Sequence, residues 1–393
     1  MASSHRKEIL VIGGTGAQGM PVVKSKSKSK PKSRYTAMES KVFIHTSNDL
    51  LYMPLTLMLM LTLAFQTVLS ASTEYSARVL TRDPSSARAK QLASLPHVTL
   101  IQGTQDSQVD LHRAFKGVYG AWVNLDGFVL GEMKELFFGF RAYEIARHEG
   151  VKHYVWANCD YALRIAGWRE EFHWGHNDAK GRVGDFILAQ DQTTMASTLF
   201  TVGPYMDMLL DGMFMPSEEL DDGTLVWENP SEDGKIPLMA LDDVGVFVKW
   251  IFDHPERSTG INLEMATDQV SFSDITSAFE KVTGRKGIHR RISFEEYYPK
   301  REPYPNAPAN WANNDGTPAT MTWRENFTAW WKFWGGGLGA TRDMALLDEI
   351  YPERIKTLEE WMTKVNYQGG KRGSVLKDIG DLSARSKSGK GNL

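Results

Sequence analysis

The 393-residue sequence predicts an α/β fold, with a parallel sheet covered by helices on both faces and a smaller C-terminal α/β lobe. Three observations predict it. The apolar run Ile9–Ile12 leads directly into a glycine-rich turn, as a buried parallel strand does. Short apolar runs then alternate with helical patterns through the first half of the chain. Beyond Met206 this alternation gives way to acidic loops, separate helices and short strands, which indicates a second lobe.

The turn after the first strand has the composition of a phosphate-binding loop. Its residues are Gly13, Gly14, Thr15, Gly16, Ala17, Gln18 and Gly19. Glycines at this spacing let the backbone turn tightly, approach a pyrophosphate closely and pack the next helix against the sheet. The phosphates then lie at a helix N-terminus, where free N–H groups favour anions. We therefore predict an NAD(P)-binding Rossmann domain, and an ordinary glycine turn is the alternative.

The end of the second strand indicates which dinucleotide is bound. The run Tyr75–Leu80 is followed by Arg82 and Asp83. An arginine at this position suits the 2′-phosphate of NADP, whereas an acidic residue suits the 2′-hydroxyl of NAD. We predict NADP(H) binding through Arg82. The alternatives are NAD binding through Asp83, or an Arg82 that is simply solvated.

The distance between these two strands is too long for a Rossmann fold. Arg82 follows Gly19 by 63 positions, whereas about 20 are expected. The excess contains a basic Ser/Lys repeat and the charge-free stretch Leu50–Leu69. Without the 44 residues Ser25–Val68, Arg82 follows Gly19 by 19 positions. We interpret this segment as foreign to the fold, for example as translated intron sequence.

A transmembrane helix over Leu50–Leu69 is the alternative interpretation, because about 20 apolar residues span a bilayer. A span there would separate the first two strands of one sheet across a membrane. We therefore expect no membrane association.

Further elements extend the pattern along the chain. Strands are predicted at 98–101, 120–124, 153–158 and 197–202. Helices are predicted at 86–95, 108–115, 131–149 and 178–190, and later near 243–252 and 273–283. The predicted organisation is a Rossmann domain over 1–205, a lobe for substrate or partner over 206–368, with a strand at 261–265, and a disordered tail over 369–393. The aromatic run Trp323–Trp334 is predicted to be a helix that packs this lobe.

Composition excludes several classes of protein. A net charge of −3 gives no electrostatic basis for direct nucleic-acid binding. A single cysteine, Cys159, excludes an internal disulfide framework and fits the reducing cytoplasm or nucleus. Histidine and cysteine residues nowhere show metal-ligand spacing, so no metal is predicted.

Several motifs together resemble the NmrA-like family of atypical short-chain dehydrogenases/reductases, and in particular its fungal members. They are GGTGAQG, VLTRDPSSARAKQL, GTQDSQVDL, GVKHYVWA, HNDAKGRVGDFI and DMALLDEIYPERIKTLEEWMTKV. The resemblance implies an extended Rossmann domain, NADP(H) preference and a small C-terminal lobe. Some family members are redox-responsive regulators of transcription factors, and others are reductases.

The same resemblance implies roles for individual residues. The implied cofactor contacts are Gly13, Thr15, Gly16, Ala17, Gln18 and Gly19 for the pyrophosphate, Arg82 for the 2′-phosphate, Thr104 and Gln105 for the adenine side, Asn124, Leu125 and Lys180 for the nicotinamide ribose, and Tyr205 and Met206 for the nicotinamide cover.

The catalytic position departs from the pattern of the superfamily. Its reductases use a tyrosine as general acid with a lysine four residues later, and here His176 precedes Lys180 at that spacing. Asn158 or Cys159 replaces the usual serine. His176 is a candidate proton donor, but we favour a polar helix-start residue without chemistry. Cys159 is expected to be a small buried residue and not a thiolate.

Two functions stay open on this evidence. The first, which the missing tyrosine favours, is an NADP(H)-binding regulator that acts through a partner such as a transcription factor. The second is an NADP-dependent reductase of a small carbonyl or conjugated alkene. An apolar pocket above Lys180 and Tyr205, closed by the second lobe, would favour the reductase.

Overall fold

The computed structural model describes residues 6–13, 72–210, 212–311, 318–339 and 341–370. The predicted phosphate loop beyond Gly13, the segment 25–68 and the tail from 371 lie outside these ranges. Within them the strands are β1 (Lys7–Ile12), β2 (Tyr75–Thr81), β3 (Val98–Gln102), β4 (Gly120–Val123), β5 (His153–Asn158), β6 (Ala196–Val202), β7 (Glu218–Glu219), β8 (Leu225–Asn229), β9 (Ile236–Leu238), β10 (Ile261–Met265), β11 (Asp268–Val270) and β12 (Gly287–Arg291).

The helices of the described residues occupy the connections between these strands and the C-terminal part. They are α1 (Ala87–Ala93), α2 (Gln108–Phe115), α3 (Gly127–His148), α4 (Ala162–Ile165), α5 (Gly175–Leu188), α6 (Leu241–Asp253), α7 (Pro255–Ser258), α8 (Phe272–Thr283), α9 (Phe294–Arg301), α10 (Trp323–Gly335), α11 (Met344–Ile350) and α12 (Leu358–Lys364), with short 3₁₀ turns at Glu170–Phe172 and Met206–Leu209.

Seven parallel strands form the main sheet, in the order β10-β6-β5-β4-β1-β2-β3. The first six strands follow the Rossmann order, in which the chain reverses direction across the sheet between β1 and β4. The predicted α/β fold with a parallel sheet is thus confirmed. β1 and β2 pair residue for residue, from Lys7 with Tyr75 to Ile12 with Leu80, despite the long segment between them.

Alternate residues of β1 serve the two faces of the sheet, as the period of two in a strand requires. Ile9 and Val11 join one apolar cluster, which α6 covers with Val244 and Ile251. The second cluster, on the other face, contains Leu10 and Ile12 with residues of α2, α3 and α5. The sheet is therefore buried on both sides, and its open edge for a ligand is the carboxyl end of the strands.

The strand Ile261–Met265 corrects the predicted division of the chain. The sequence places it in the second lobe, but it pairs with β6 at the edge of the main sheet. Helix α6, which precedes α7 and this strand in the chain, packs on the same sheet. A strand of five residues carries no sequence signal for the sheet it joins, because partner choice is a long-range property. The other predicted domain boundaries, including those of the lobe over 206–368, stay predictions.

The C-terminal part has its own aromatic core and is tied back to the main sheet. Helix α10 contributes a run of buried tryptophans and phenylalanines to a cluster with residues of β8, α8 and α12, as the sequence predicts. Arg342 then reaches Asp160, just past β5, in a fully buried bidentate pair at 2.7 and 2.9 Å. Such a pair holds the C-terminal segment against the end of the sheet.

Two helices begin earlier than the sequence predicts. Helix α3 starts at Gly127 rather than near 131 and is interrupted at Gly131, whose φ is 74°. Helix α5 starts at Gly175 rather than at 178. Glycines obscure both starts, because a glycine lowers helix propensity wherever it occurs. Within the described ranges no helix is both long and apolar enough to cross a membrane, and Leu50–Leu69 lies outside them.

Candidate cofactor and active site

The carboxyl ends of β1, β2 and β4 lie side by side, and the first glycine of the predicted phosphate loop lies among them. Gly13 has a φ of 79°, and a Cβ atom there would lie 2.5 Å from the backbone oxygen of Asn124. Only glycine fits this backbone conformation and this close approach. Thr15, Gly16, Ala17, Gln18 and Gly19 lie outside the described residues, so their phosphate contacts stay predictions.

Arg82 and Asp83 are both exposed at the end of β2, but they are differently engaged. The Asp83 carboxylate accepts hydrogen bonds from the backbone N–H and the hydroxyl of Ser85, at 2.8 and 2.6 Å. These bonds lower the pKa of Asp83 and commit one carboxylate oxygen to the turn before α1. This arrangement favours Arg82 as the ribose-side contact, which is the condition for NADP preference.

Thr104 and Gln105 follow β3 at the same edge of the sheet, where an adenine would lie. Both are partly buried. The Thr104 N–H donates to the Asp110 carboxylate at 3.1 Å, which fixes the turn between β3 and α2. Their predicted contact with the cofactor stays a prediction.

Lys180 brings three of the predicted residues together. Helix α5 carries it to the end of β4, where its Nζ atom donates to Leu125 O at 2.9 Å and to Asn124 Oδ1 at 3.2 Å. The ammonium group also lies 5.2 Å from the centre of the Trp156 ring. Its side chain is only 10% exposed. An ammonium group fixed at this edge is suited to binding the hydroxyls of a ribose.

A further residue of this centre, Glu135 on α3, escapes prediction from the sequence. It is completely buried, and its Oε1 atom lies 2.8 Å from Lys180 Nζ in an ion pair rather than an aligned hydrogen bond. Burial raises the pKa of Glu135 to about 7, against the opposing effect of the Lys180 charge. A mid-helix glutamate gives no signal of burial, because the same residue type is common on exposed helix faces.

His176 is held as a neutral imidazole at the start of α5. Its Nδ1 atom lies 3.1 Å from Asn326 Oδ1, and the Phe128 ring packs on it with centroids 4.4 Å apart. Burial lowers its pKa to about 4. With Nδ1–H donating to the amide oxygen, Nε2 is left as an acceptor. This arrangement argues against His176 as a proton donor at neutral pH and favours the structural role.

The positions that replace the superfamily serine offer no nucleophile or acid. Asn158 is buried, and its amide donates to Thr201 Oγ1 at 2.9 Å. Cys159 is partly buried, and burial raises the pKa of its thiol to about 12. A group with that pKa is a thiol and not a thiolate at neutral pH, as the sequence predicts.

Tyr205 and Met206 differ in burial, a difference that the sequence does not predict. Met206 is fully buried in the apolar cluster of the C-terminal part, and its N–H donates to Met239 O at 3.0 Å. Tyr205 retains exposed surface. The Met206 side chain is buried in the core, and the predicted cover of a nicotinamide by the loop at Tyr205 and Met206 stays a prediction.

A small, partly open cleft lies beside His176 and is bordered by the C-terminal part. Its walls come from the starts of α3 and α5 and from three later segments, and the lining residues are Gly127, Phe128, Gly131, Glu132, Gly175, His176, Ala309, Asn310, Ala319, Thr320, Met321 and Asn326. The lining mixes apolar and amide side chains. It does not include Lys180 or Tyr205, so this cleft meets only part of the condition set for a reductase pocket.

Among the described residues that line this cleft, Glu132 is the one with a charged carboxylate, and three donors bind it. Its Oε1 atom accepts from His173 at 3.0 Å and Arg182 at 3.1 Å, and its Oε2 atom from the Thr320 hydroxyl at 2.9 Å. Burial alone would raise the pKa of Glu132, but these hydrogen bonds and charges lower it. Thr320 belongs to a late segment, so the contact ties the cleft's outer wall to α3.

Comparison with known proteins identifies relatives of this chain. The profile of the NmrA-like family matches residues 64–327. An NmrA-like family domain-containing oxidoreductase of Cladobotryum sp is 26% identical over 236 residues, which span 54% of this chain and 67% of the relative. One of Aspergillus japonicus is 24% identical, over 54% of this chain and 66% of its own length. The matches thus span about two thirds of these relatives.

Solved structures of the same architecture cover more of the chain. The negative transcriptional regulator NmrA in complex with NADP has a TM-score of 0.63 at 19% identity, over 92% of this chain and 95% of that one. The NADPH-dependent quinone oxidoreductase of Escherichia coli complexed with NADPH has a TM-score of 0.60 at 16% identity, over 91% and 99%. These likenesses show a Rossmann-type fold.

Proposed function

Since the chain belongs to the NmrA-like family, we propose that it binds NADP(H) at the carboxyl edge of its sheet and transfers a hydride between this cofactor and a small carbonyl or conjugated alkene. The observation that carries the proposal is Lys180, a nearly buried ammonium group held between the end of β4 and Glu135. Its curated relatives are named oxidoreductases, and structural neighbours are named as complexes with NADP or NADPH.

NADP(H) binding rests on the sheet edge. Gly13 permits the turn toward Asn124, and Arg82 is exposed beside an Asp83 that already serves a turn. The residues Thr15 to Gly19 are proposed to contact the pyrophosphate, and Thr104 and Gln105 the adenine side. An arginine bound to a phosphate contributes about 1.5–3 kcal/mol.

Titration calorimetry with NADP and NAD tests this cofactor choice. We expect at least tenfold tighter binding of NADP, and we expect Arg82→Ala to remove most of the difference. Lys90→Ala, an exposed basic residue on the neighbouring α1, is the matched control and should keep the preference. Equal affinities in the unmodified protein would contradict the proposal.

The proposed roles of the side chains follow from their hydrogen bonds and their charges. NADPH, when bound, supplies the hydride. Two of the three N–H groups of Lys180 donate to Asn124 and Leu125, and the charge of the ammonium group is paired with Glu135. The third N–H group can donate to a hydroxyl of a bound ribose, and the 3.2 Å contact with Asn124 is the longer of the two hydrogen bonds. Lys180 thus positions the ribose. Reduction also needs one proton, and water supplies it, because neutral His176 offers Nε2 only as an acceptor.

Turnover is tested by following NADPH oxidation with a panel of aldehydes, ketones, quinones and conjugated enones. We expect turnover with at least one class, and we expect Lys180→Ala to abolish it while weakening NADPH binding. His176→Gln should retain most of the activity, because the imidazole is not the acid. NADPH binding without turnover across the panel would contradict the oxidoreductase function.

A second candidate function is a redox-responsive regulator that acts through a partner protein such as a transcription factor. The observation that favours it is the absence of a proton donor at position 176, because Nδ1–H is directed at Asn326 and the pKa is low. In that case NADP and NADPH should change the affinity for the partner differently, while no carbonyl compound is reduced.

We propose further that residues 25–68 are foreign to the fold. One observation supports this: β1 and β2 pair residue for residue as neighbouring parallel strands, despite the long segment between them. Deleting Ser25–Val68 should preserve NADPH binding and raise soluble yield, and a transcript lacking the corresponding 132 nucleotides, three for each of 44 residues, is expected. Loss of NADPH binding on deletion would contradict the proposal.

A further inference from the structure

Two histidines and a glutamate meet on the surface of the Rossmann domain, apart from every residue of the proposed active site. His112 lies in the last turn of α2, His148 is the last residue of α3, and Glu149 follows it as the C-cap. Within the described ranges this is the one group of three or more such side chains whose ligand atoms all lie within 4.8 Å of one another.

The geometry is close to that of a zinc site. His112 Nδ1 lies 2.7 Å from Glu149 Oε1, and the two imidazole rings meet edge to face with centroids 5.4 Å apart. Ligand atoms about 2.0–2.1 Å from a tetrahedral zinc ion lie about 3.3 Å from each other. Entry of the ion therefore requires the His112–Glu149 contact to open by about half an ångström, which side-chain rotation supplies.

Charge and access also suit a divalent cation. His148 and Glu149 form the C-terminal end of a 22-residue helix, where the helix dipole favours positive charge. Glu149 supplies one negative charge, and the two imidazoles are neutral ligands of the kind that zinc prefers. His148 is exposed, and the other two side chains are partly exposed, so that an ion and a water molecule as fourth ligand reach the site.

We propose that His112, His148 and Glu149 form a Zn²⁺ site that fastens α2 to the end of α3. The three ligands come from two helices that the chain connects through β4, so an ion held by all of them closes a link between separate elements. α2 follows directly on the turn that holds Thr104 and Gln105. The ion would therefore stabilise the adenine-side half of the domain in the folded state.

Zinc titration of the metal-free full-length protein tests the site, with a chromophoric chelator as competitor. We expect one equivalent of Zn²⁺ to bind and to raise the melting temperature. We expect His112→Ala, His148→Ala and Glu149→Gln each to weaken binding at least tenfold. Co²⁺ in place of Zn²⁺ should give the visible absorption of a tetrahedral complex, and the variants should lose it.

The matched control is His97→Asn, which removes an exposed histidine outside the group. Its backbone φ is 59°, a conformation that asparagine accepts, so this variant should fold and bind zinc like the unmodified protein. The exposed His148 makes His148→Ala the variant least able to disturb folding. The proposal is overturned if the unmodified protein binds no zinc, or if His148→Ala binds it with unchanged affinity.

Discussion

Glu132 and Glu135 lie one turn apart on α3, and both are buried, but their carboxyl groups differ in ionisation. Glu132 receives hydrogen bonds from His173, Arg182 and Thr320, and its pKa is lowered. Within the described part of the chain, Lys180 is the one cation close to Glu135, and the pKa of Glu135 is raised to about 7. The number of donors around a buried carboxylate thus decides whether burial or stabilisation of the charge prevails.

The difference separates two tasks at neighbouring positions. Glu132 is a fixed anion that joins the cleft's late wall to α3. The Glu135 carboxyl group has a pKa of about 7 and lies beside the Lys180 ammonium group that is proposed to bind the ribose. The ionisation of Glu135 therefore depends on Lys180. We expect substitutions of Glu132 and of Glu135 to change the free energy of unfolding with opposite dependence on pH.

Removing the Lys180 ammonium group beside Glu135 should have the largest effect on the free energy of unfolding. Lys180→Met leaves a fully buried carboxyl group without a partner, and loss of one member of a buried pair costs about 3–5 kcal/mol. We expect a loss of about 3 kcal/mol in the free energy of unfolding at pH 8, measured by urea denaturation. The double variant Lys180→Met/Glu135→Gln should recover most of it. If the free energy of unfolding of Lys180→Met were unchanged, Lys180 and Glu135 would not be coupled.

The pH dependence of Glu135 should come next in size. Its pKa rises from 4.5 in the unfolded chain to about 7 in the folded one, so the folded state loses stability as pH rises through this interval. This shift corresponds to about 3 kcal/mol. Urea denaturation at pH 5 and pH 8 should show Glu135→Gln gaining stability relative to the unmodified protein at the higher pH. If the two proteins differed in free energy of unfolding by the same amount at both pH values, the raised pKa of Glu135 would be contradicted.

Glu132→Gln should respond in the opposite direction. Its lowered pKa means that Glu132 contributes stability above the ordinary glutamate pKa of 4.5, and that this contribution is lost as pH falls through the folded-state pKa. We expect the variant to lose about 2 kcal/mol at pH 7, because Arg182 and His173 lose a carboxylate acceptor. The loss should shrink at pH 4 in the same urea measurements, and a loss that grows there would be inconsistent with an ionised Glu132.

Thr320→Val should give the smallest change. It removes one hydrogen bond to Glu132 while two others remain, so a loss of about 1 kcal/mol is expected in thermal unfolding. Thr363→Val is the control, because that hydroxyl donates only to a carbonyl of its own helix on the surface. Equal effects of the two variants would show that the late wall is not anchored through Glu132.

The sequence predicts those parts of the site that depend on neighbours in the chain. The turn at Gly13, the exposed Arg82 beyond β2 and the strand ends at Asn124 and Leu125 follow from apolar runs and the residues that end them. The proximity of Lys180 to Asn124 and Leu125 is consistent with the family resemblance, which assigns all three to the nicotinamide ribose. Helix α10 is predictable because its aromatic residues recur at helical spacing.

Residues whose roles depend on distant neighbours escape such prediction. His176 becomes neutral because Asn326, 150 positions away, accepts its N–H and because Phe128 covers it. The Met206 side chain enters a core cluster, and β10 joins the main sheet rather than the second lobe. None of these outcomes is encoded in the local pattern around the residue.

The sequence by itself thus determined the α/β class, the glycine turn at Gly13 and the exposed arginine beyond β2, because short-range periodicity and turn chemistry fix each of them, and Lys180 was indicated by the family resemblance. The tertiary structure alone decided which carboxyl group lies beneath that lysine, how strongly it holds its proton, and that the histidine beside it is neutral. The physical reason is that burial and the number of nearby donors set ionisation, and both arise only when α3, α5 and the C-terminal part pack together.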